Sequence, residues 1–189
     1  VEKTAIVTLQ NGLRVGLAGV TTHYVKLWEK PENLAGIAVT DAFTAAKEAY
    51  DQLKAKADIT VCIYHGGFER DVKTGKVLSD TDENQGWRIC EELGFDILLA
   101  GHQHTAAENV RINGTYTCQP PDKARQYIKM DVIVDGQITA EQHLMDAGNV
   151  TQAKAKALLL PAEKQAAAWF DTPMGHLDTP LLPSRHIDM

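Results

Sequence analysis

The feature that most limits how this chain can fold is a helix followed by a buried strand, a pattern that occurs twice between residues 41 and 100. Residues 41–57 place apolar side chains three to four positions apart, which indicates an amphipathic helix, and residues 84–93 repeat the pattern. The runs "DITVCIY" (58–64) and "DILLA" (96–100) are continuously apolar or β-branched after the first Asp, as in strands covered on both faces. This alternation predicts an α/β fold, layered in the α+β manner, with neighbouring parallel strands.

Hairpin signals flank this core on both sides. Asn11-Gly12 joins two apolar stretches near the amino terminus, Asp135-Gly136 joins two more, and both dipeptides suit tight hairpin turns. The run "TYTCQ" (115–119) predicts a further strand. Residues 149–170 are rich in strong helix formers and precede a Pro-rich tail. We therefore expect a folded domain over residues 1–148 and a helix with a linker over residues 149–189.

Composition argues against two classes of partner. The formal net charge is −6 and Lys and Arg form no cluster, which argues against binding to a nucleic-acid polymer. No apolar run reaches the roughly 20 residues of a membrane-spanning helix, and the first residues lack the pattern of a signal peptide. Because Cys62, Cys90 and Cys118 stand singly, we expect buried thiols rather than disulfides or a zinc ribbon.

Three of the seven histidines follow predicted strands and stand beside glycines; they are His65, His102 and His104. Glycine lets the backbone turn sharply, so that a side chain leaves a strand end toward a cleft rather than the core. Imidazole is a common ligand of zinc, manganese and other divalent ions, so the trio predicts a metal site at this edge of the sheet. We expect the other four histidines to be structural or exposed: His23, His143, His176 and His186.

Several segments together resemble a known family. They are "NGLRVGLAGVTT", "YHGGFERD", "ENQGWRICEELGFDILLAGHQH" and "WFDTPMGHLDTPLLP". In this order they resemble the calcineurin-like metallophosphoesterases, in particular the bacterial 5′-nucleotidase and 2′,3′-cyclic-nucleotide 2′-phosphodiesterase branch. The resemblance covers nearly the whole chain.

The resemblance implies a fragment of an αββα sandwich that carries the second half of a catalytic domain and an interdomain linker. It also implies hydrolysis of phosphate esters of nucleotides at a centre of two divalent ions. Three imidazoles do not decide the identity of these ions, which could be zinc, manganese, iron or cobalt. By this resemblance, His65 and His102 would ligate one ion and His104 the other. The implied substrate is a nucleotide or cyclic nucleotide, and the implied location of the whole protein is extracellular, periplasmic or in the cell wall.

The chain departs from the family at its expected amino-terminal motifs. The family's D-x-H, G-D and G-N-H-[D/E] motifs are absent from this sequence, and with them the bridging carboxylate, an Asn ligand and the catalytic acid histidine. We therefore expect no catalytic residue within these 189 residues and little activity of the chain alone. We also expect exposed core surface that favours self-association. The alternatives are a non-catalytic α/β module with a vestigial metal site and a hydrolase with a single metal ion held by three histidines.

Two further residues are weaker candidates for substrate binding. Arg70 could bind a substrate phosphate, although the loop of Glu69, Arg70 and Asp71 is typical of a solvated face. Asn84 is either a site residue or the N-cap of the second helix. The three tryptophans, Trp28, Trp87 and Trp169, could stack on a base, but their patterns favour packing in the core.

Overall fold

A six-stranded mixed sheet is the central element of this computed structural model, which describes residues 2–135, 138–146, 153–173 and 175. Its strands run in the spatial order β1-β2-β3-β4-β6-β5, with β2, β3, β4 and β6 parallel and the two edge strands antiparallel to their neighbours. The strands are β1 (Thr4–Thr8), β2 (Arg14–Thr21), β3 (Ile59–His65), β4 (Ile97–Ala100), β5 (Ala107–Ile112) and β6 (Thr115–Gln119). The predicted α/β fold is confirmed.

Two helices cover one face of this sheet, and a short helix α1 (Val25–Trp28) follows β2. Helix α2 (Ala42–Leu53) packs on β2 and β3, and helix α3 (Gly86–Glu92) packs on β4. Helix α2 begins after Asp41, whose side chain accepts a hydrogen bond from the Thr44 amide at 2.8 Å. Both helices are shorter than the predicted ranges 41–57 and 84–93, and their predicted apolar sides are buried or partly buried.

A two-stranded antiparallel ribbon lies on the other face. It consists of β7 (Gln126–Val134) and β8 (Ile138–Asp146), as predicted, although the turn residues 136 and 137 lie outside the described residues. Met130 and Ile138 of the ribbon pack against a small cluster of sheet residues, Ile59, Val61 and Ile97. This cover is partial, because Ile63 in the middle of β3 remains 48% exposed. The prediction of a strand buried on both faces is therefore wrong for the last part of β3.

The edges of the sheet show one predicted hairpin and one that sequence reasoning missed. Strands β1 and β2 pair across the predicted Asn11-Gly12 turn, where Gly12 has a φ of +86°. Strands β5 and β6 pair in the same way across Asn113-Gly114, and both of these residues also have positive φ. Strand β5 was not predicted.

The three cysteines are free and buried, as expected from their isolated positions. Cys62 lies in β3, Cys90 in α3 and Cys118 in β6. Burial raises the pKa of the Cys62 thiol to about 12 and that of Cys118 to about 11, and it also raises the pKa of Cys90. These thiols therefore stay protonated at neutral pH.

The chain divides into two compact units, Val1–Ala147 and Gly148–Met189. The second unit contains α4 (Ala153–Phe170), a helix with an internal Pro161 and no buried residue. Its Trp169 is 67% exposed, so the prediction of core packing is wrong for this residue. The predicted linker falls mostly on residues 174 and 176–189, which lie outside the described residues. Among the helices of the described residues, none has both the length and the apolar character needed to cross a membrane.

Candidate metal centre

The candidate site lies where β3 and β4 end side by side. Tyr64 and Ala100 are partners in the parallel register, so the residues that follow them leave the sheet at the same edge. The amide of Gly101 donates a hydrogen bond to the carbonyl of Gly66 at 3.2 Å, which joins the two loops. The rings of His65 and His102 consequently lie edge to face with their centroids 5.4 Å apart. Two of the three predicted metal ligands are thus neighbours.

The backbone of the second loop is strained at both of its histidines. His102 has a φ of 77° and His104 a φ of 57°. Both values lie in the left-handed region that residues other than glycine rarely adopt. Such conformations cost about 1–3 kcal/mol each and persist only where the surrounding contacts impose them. Gln103 between them supplies such contacts, because its amide both accepts from the Phe68 backbone N–H and donates to the Phe68 carbonyl, each at 2.9 Å.

A carboxylate that sequence reasoning missed completes the local cluster. Oε1 of Glu83 lies 2.9 Å from Nε2 of His102, and the His102 side chain is only 19% exposed. The backbone of Glu83 is fixed as well, because its carbonyl accepts a hydrogen bond from the Thr22 hydroxyl at 2.7 Å. The position of Glu83 just before Asn84 in the resembling segment was the available signal.

Asn84 is not the N-cap of the second helix, and its role in substrate binding stays a prediction. Its buried side chain accepts a hydrogen bond from the Gly67 amide at 2.7 Å and so holds the loop that follows His65. The residue before α3 is Gln85, which makes no side-chain cap. The helix is instead capped by Glu69, whose carboxylate accepts from the amides of Trp87 at 3.0 Å and Arg88 at 2.7 Å.

The loop after His65 is therefore less solvated than predicted. Burial raises the pKa of the Glu69 carboxyl, although its backbone hydrogen bonds oppose that shift. Arg70 lies with its guanidinium 5.9 Å from the centre of the Trp87 ring. It lines a pocket that adjoins the one lined by His102, because Leu78, Gln103 and Thr105 line both. Trp87 itself is partly buried and packs against the main core, as predicted.

The remaining histidines are spread over the molecule. His104 lies close enough to Asp122 to contribute to the lowered pKa of that carboxyl, which is caused mainly by a hydrogen bond from Arg125. His23 has its Nδ1 3.6 Å from Oδ2 of Asp41, and His143 is exposed in β8. The predictions for His176 and His186 concern residues outside the described part of the chain.

The donors present fit a divalent ion only in part. Imidazole nitrogens and a carboxylate are ligands that zinc, manganese, iron and cobalt all accept. Within the described residues, however, no group of three or more His, Cys, Asp or Glu side chains is arranged to hold an ion. The edge thus supplies a pair of histidines with a supporting glutamate, rather than a closed ligand set.

A pocket opens beside this pair. It has a volume of about 440 Å³ and is lined by Leu78, Glu83, Asn84, His102, Gln103 and Thr105. The indole of Trp28, on α1, stacks on the His102 ring with centroids 5.1 Å apart and ring planes 23° from parallel. Trp28 is 53% exposed, so the prediction that it packs in the core is wrong.

Comparisons with known proteins identify relatives by sequence and by structure. No protein-family model matches the chain. It is 25% identical over 168 residues to the uncharacterized metallophosphoesterase YunD of Bacillus subtilis, an alignment that covers 85% of this chain and 32% of the relative. It superposes with a TM-score of 0.78 and 27% identity on a candidate 5′-nucleotidase from Staphylococcus aureus, solved in complex with alpha-ketoglutarate.

That superposition covers 90% of this chain and 34% of the Staphylococcus protein. The sulfate thiohydrolase SoxB of Thermus thermophilus, solved with glycerol, shares the fold at a TM-score of 0.65 and 19% identity over 86% of this chain and 29% of its own. The chain therefore spans about a third of the length of these relatives.

Proposed function

We propose that this chain, which resembles the calcineurin-like metallophosphoesterases of the 5′-nucleotidase branch in sequence and fold, carries part of a site that hydrolyses phosphate esters of nucleotides. The observation that supports this most is the meeting of His65 and His102 at the carboxyl edge of parallel strands, beside a pocket. In open α/β sheets that edge is where ligands bind. The substrates that we propose are 5′-nucleotides or 2′,3′-cyclic nucleotides.

The residues of this chain would bind and orient rather than transfer protons. His65 and His102 would hold one divalent ion through ring nitrogens, and His104 would serve a second ion. When bound, such ions activate water and stabilise the charge of the phosphoryl group during in-line attack. Glu83 fixes the ring of His102 through its 2.9 Å contact, and partners of this kind are typically worth about 10- to 100-fold in metal affinity.

Two groups that the family's reaction needs are missing from this sequence. A bridging carboxylate and an acid histidine would come from residues beyond these 189, as the absent D-x-H, G-D and G-N-H motifs indicate. General acid–base help alone is typically worth about 10²- to 10⁴-fold in rate. We therefore propose that the whole protein is active, outside the cytoplasm as its branch implies, and that the isolated chain is not.

The test combines metal binding with turnover. Calorimetric titration with Mn²⁺ and Zn²⁺ is expected to show binding that His65→Ala and His102→Ala each weaken by at least about 10-fold. His143→Ala, at an exposed position in β8, is the matched control and should leave binding unchanged. The proposal is wrong if His143→Ala weakens binding as much as the other two changes, or if the unchanged chain binds neither ion.

Turnover is measured on bis-p-nitrophenyl phosphate and 2′,3′-cyclic AMP. The whole protein should hydrolyse both in a metal-dependent way, and the 189-residue chain should not. The absence of a three-residue ligand group in the described residues also favours a second candidate, a non-catalytic module with a vestigial metal site. A whole protein that binds metal but hydrolyses neither compound would support that module.

A further inference from the structure

Trp28 is an exposed aromatic residue at the candidate metal centre. None of the residues of α1 is buried, and Trp28 keeps 53% of its surface exposed although indole is among the most apolar side chains available. The packing of the core therefore does not explain its position. Its described ring contact is with His102, a residue of the site.

The geometry of this contact leaves the indole able to accept a second ring. One side of Trp28 covers the His102 imidazole in a nearly parallel stack, and an exposed fraction of 53% means that much of the remaining ring meets solvent. Leu78, which lines the pocket with His102, is 61% exposed and gives that pocket an apolar side chain. The site is thus apolar on its flank and polar at its histidines.

The lining of the pocket does not by itself favour a phosphate group. It includes the acidic side chain of Glu83 and no Lys or Arg. A ligand that uses both parts of the site must carry a planar apolar ring together with a group that binds at the histidines. A nucleotide has this construction, because its ribose separates a flat base from the phosphate.

We propose that Trp28 stacks on the base of a nucleotide whose phosphate lies on the side of His65 and His102. This inference rests on the proposed function and adds a determinant of substrate choice to it. Stacking on an aromatic ring favours every base, because each base has a π-face. The site should therefore prefer nucleotides over phosphate esters without a base, with little discrimination between purines and pyrimidines.

The test compares ligands with and without a base on the 189-residue chain in the presence of Mn²⁺. AMP and UMP are expected to bind about 10-fold more tightly than ribose 5-phosphate, as calorimetry measures. Trp28→Ala should bring this ratio close to one, because it weakens the binding of AMP and UMP more than that of ribose 5-phosphate, and Trp28→Phe should restore most of the ratio. Trp169→Ala, at an exposed tryptophan of α4, is the control and should preserve the ratio.

Adenosine provides an arm that does not depend on metal or phosphate. In NMR spectra, its addition should shift the indole N–H resonance of Trp28, which is identified by its loss in Trp28→Phe. The resonance of Trp169, identified by its loss in Trp169→Ala, should not shift. Binding of adenosine without binding of ribose 5-phosphate would contradict the proposed function and leave the stacking role intact. An unchanged ratio in Trp28→Ala, or an adenosine titration that leaves the Trp28 resonance unmoved, would overturn the stacking role.

Discussion

Two uncharged amide side chains hold the loop that follows His65 in the candidate site. Asn84 accepts from the backbone N–H of Gly67, and Gln103 pairs with both backbone groups of Phe68. These bonds tie the loop after β3 to the segment before α3 and to the loop after β4. The spacing of the two histidines therefore depends on amides that do not titrate.

Asn84→Ala should destabilise the chain because it leaves the buried N–H of Gly67 without this acceptor. An unsatisfied buried donor costs about 1–3 kcal/mol, so the midpoint of urea unfolding should fall accordingly. Asn33→Ala removes an exposed side chain of the same type and should change the free energy of unfolding by less than about 0.5 kcal/mol. Equal midpoints for the two variants would show that the Asn84 bond contributes nothing.

An exposed ion pair gives the chain a defined response to acid. The Arg14 guanidinium donates to the carboxylate of Asp58 at 2.7 Å and 3.1 Å, and the Arg14 backbone N–H donates at 2.8 Å. These hydrogen bonds lower the pKa of the Asp58 carboxyl to about 2. Because the folded pKa lies below the unfolded one, the contribution to stability is complete above pH 4 and is lost as the pH falls toward 2.

Asp58→Asn should therefore remove part of the acid dependence of stability. Urea midpoints measured between pH 5 and pH 2 should fall less steeply for the variant than for the unchanged chain. The variant should also be the less stable of the two at pH 5, where the Asp58 carboxylate is charged. Parallel acid limbs for the two proteins would contradict this assignment.

The residues of the site were predictable only where strand geometry governs them. Glycines after two parallel strands predict that His65 and His102 meet, and the register of Tyr64 with Ala100 explains why they do. His102 and His104 do not continue the strand, because β4 ends at Ala100 and the backbone of both histidines is in the left-handed region. Glu83 was missed because it reaches His102 through an irregular loop that has no periodicity.

Among the elements, α2 and the turn that follows it approach β2 so closely that only glycine fits beneath them. A Cβ on Gly16 would lie 2.8 Å from the Cβ of Ala57 and 3.0 Å from a methyl carbon of Leu53. Contacts this short force the helix or the strand to move. The close approach lets the small buried side chains Ala46 and Ala49 reach the sheet.

Gly16→Ala should cost about 1–3 kcal/mol of stability, as overpacking of a well-filled core does. Gly19→Ala is the matched control in the same strand, because a Cβ there meets no atom within 4 Å. That change should be neutral or slightly stabilising, since alanine restricts the unfolded chain. The two variants are compared by thermal and urea unfolding, and a loss of stability at Gly19 equal to that at Gly16 would refute the packing argument.

The elements themselves were largely predictable from periodicity and turn chemistry. Three-to-four-residue spacing identified α2 and α3, whereas their ends depend on capping contacts such as that of Glu69 with α3. Strand β5 was overlooked because its alternation is broken by a register shift between Ala107 and Val110. The Asn113-Gly114 dipeptide after it was a usable signal, of the same kind as Asn11-Gly12.

At the scale of the whole molecule, the first unit exposes apolar side chains along one edge and one face of its sheet. Ile6 and Val7 lie on the edge strand β1, and Ile63 lies on the incompletely covered face. Unpaired edges and apolar faces favour association between copies. Light scattering should show a mass that rises with protein concentration. A monodisperse monomer at every concentration would contradict the prediction of self-association.

The three buried thiols can report how the native state opens. A labelling reagent reacts with the thiolate, so the buried and protonated thiols of Cys62, Cys90 and Cys118 react only after the structure around them opens. Their positions in β3, α3 and β6 sample three elements of the first unit. If that unit opens as a cooperative whole, all three should acquire label at one rate, and that rate should rise with urea as the unfolding equilibrium does. Peptide mass spectrometry over a time course would reveal this, and a Cys118 that reacts well before Cys62 would mean that the β5–β6 edge opens by itself.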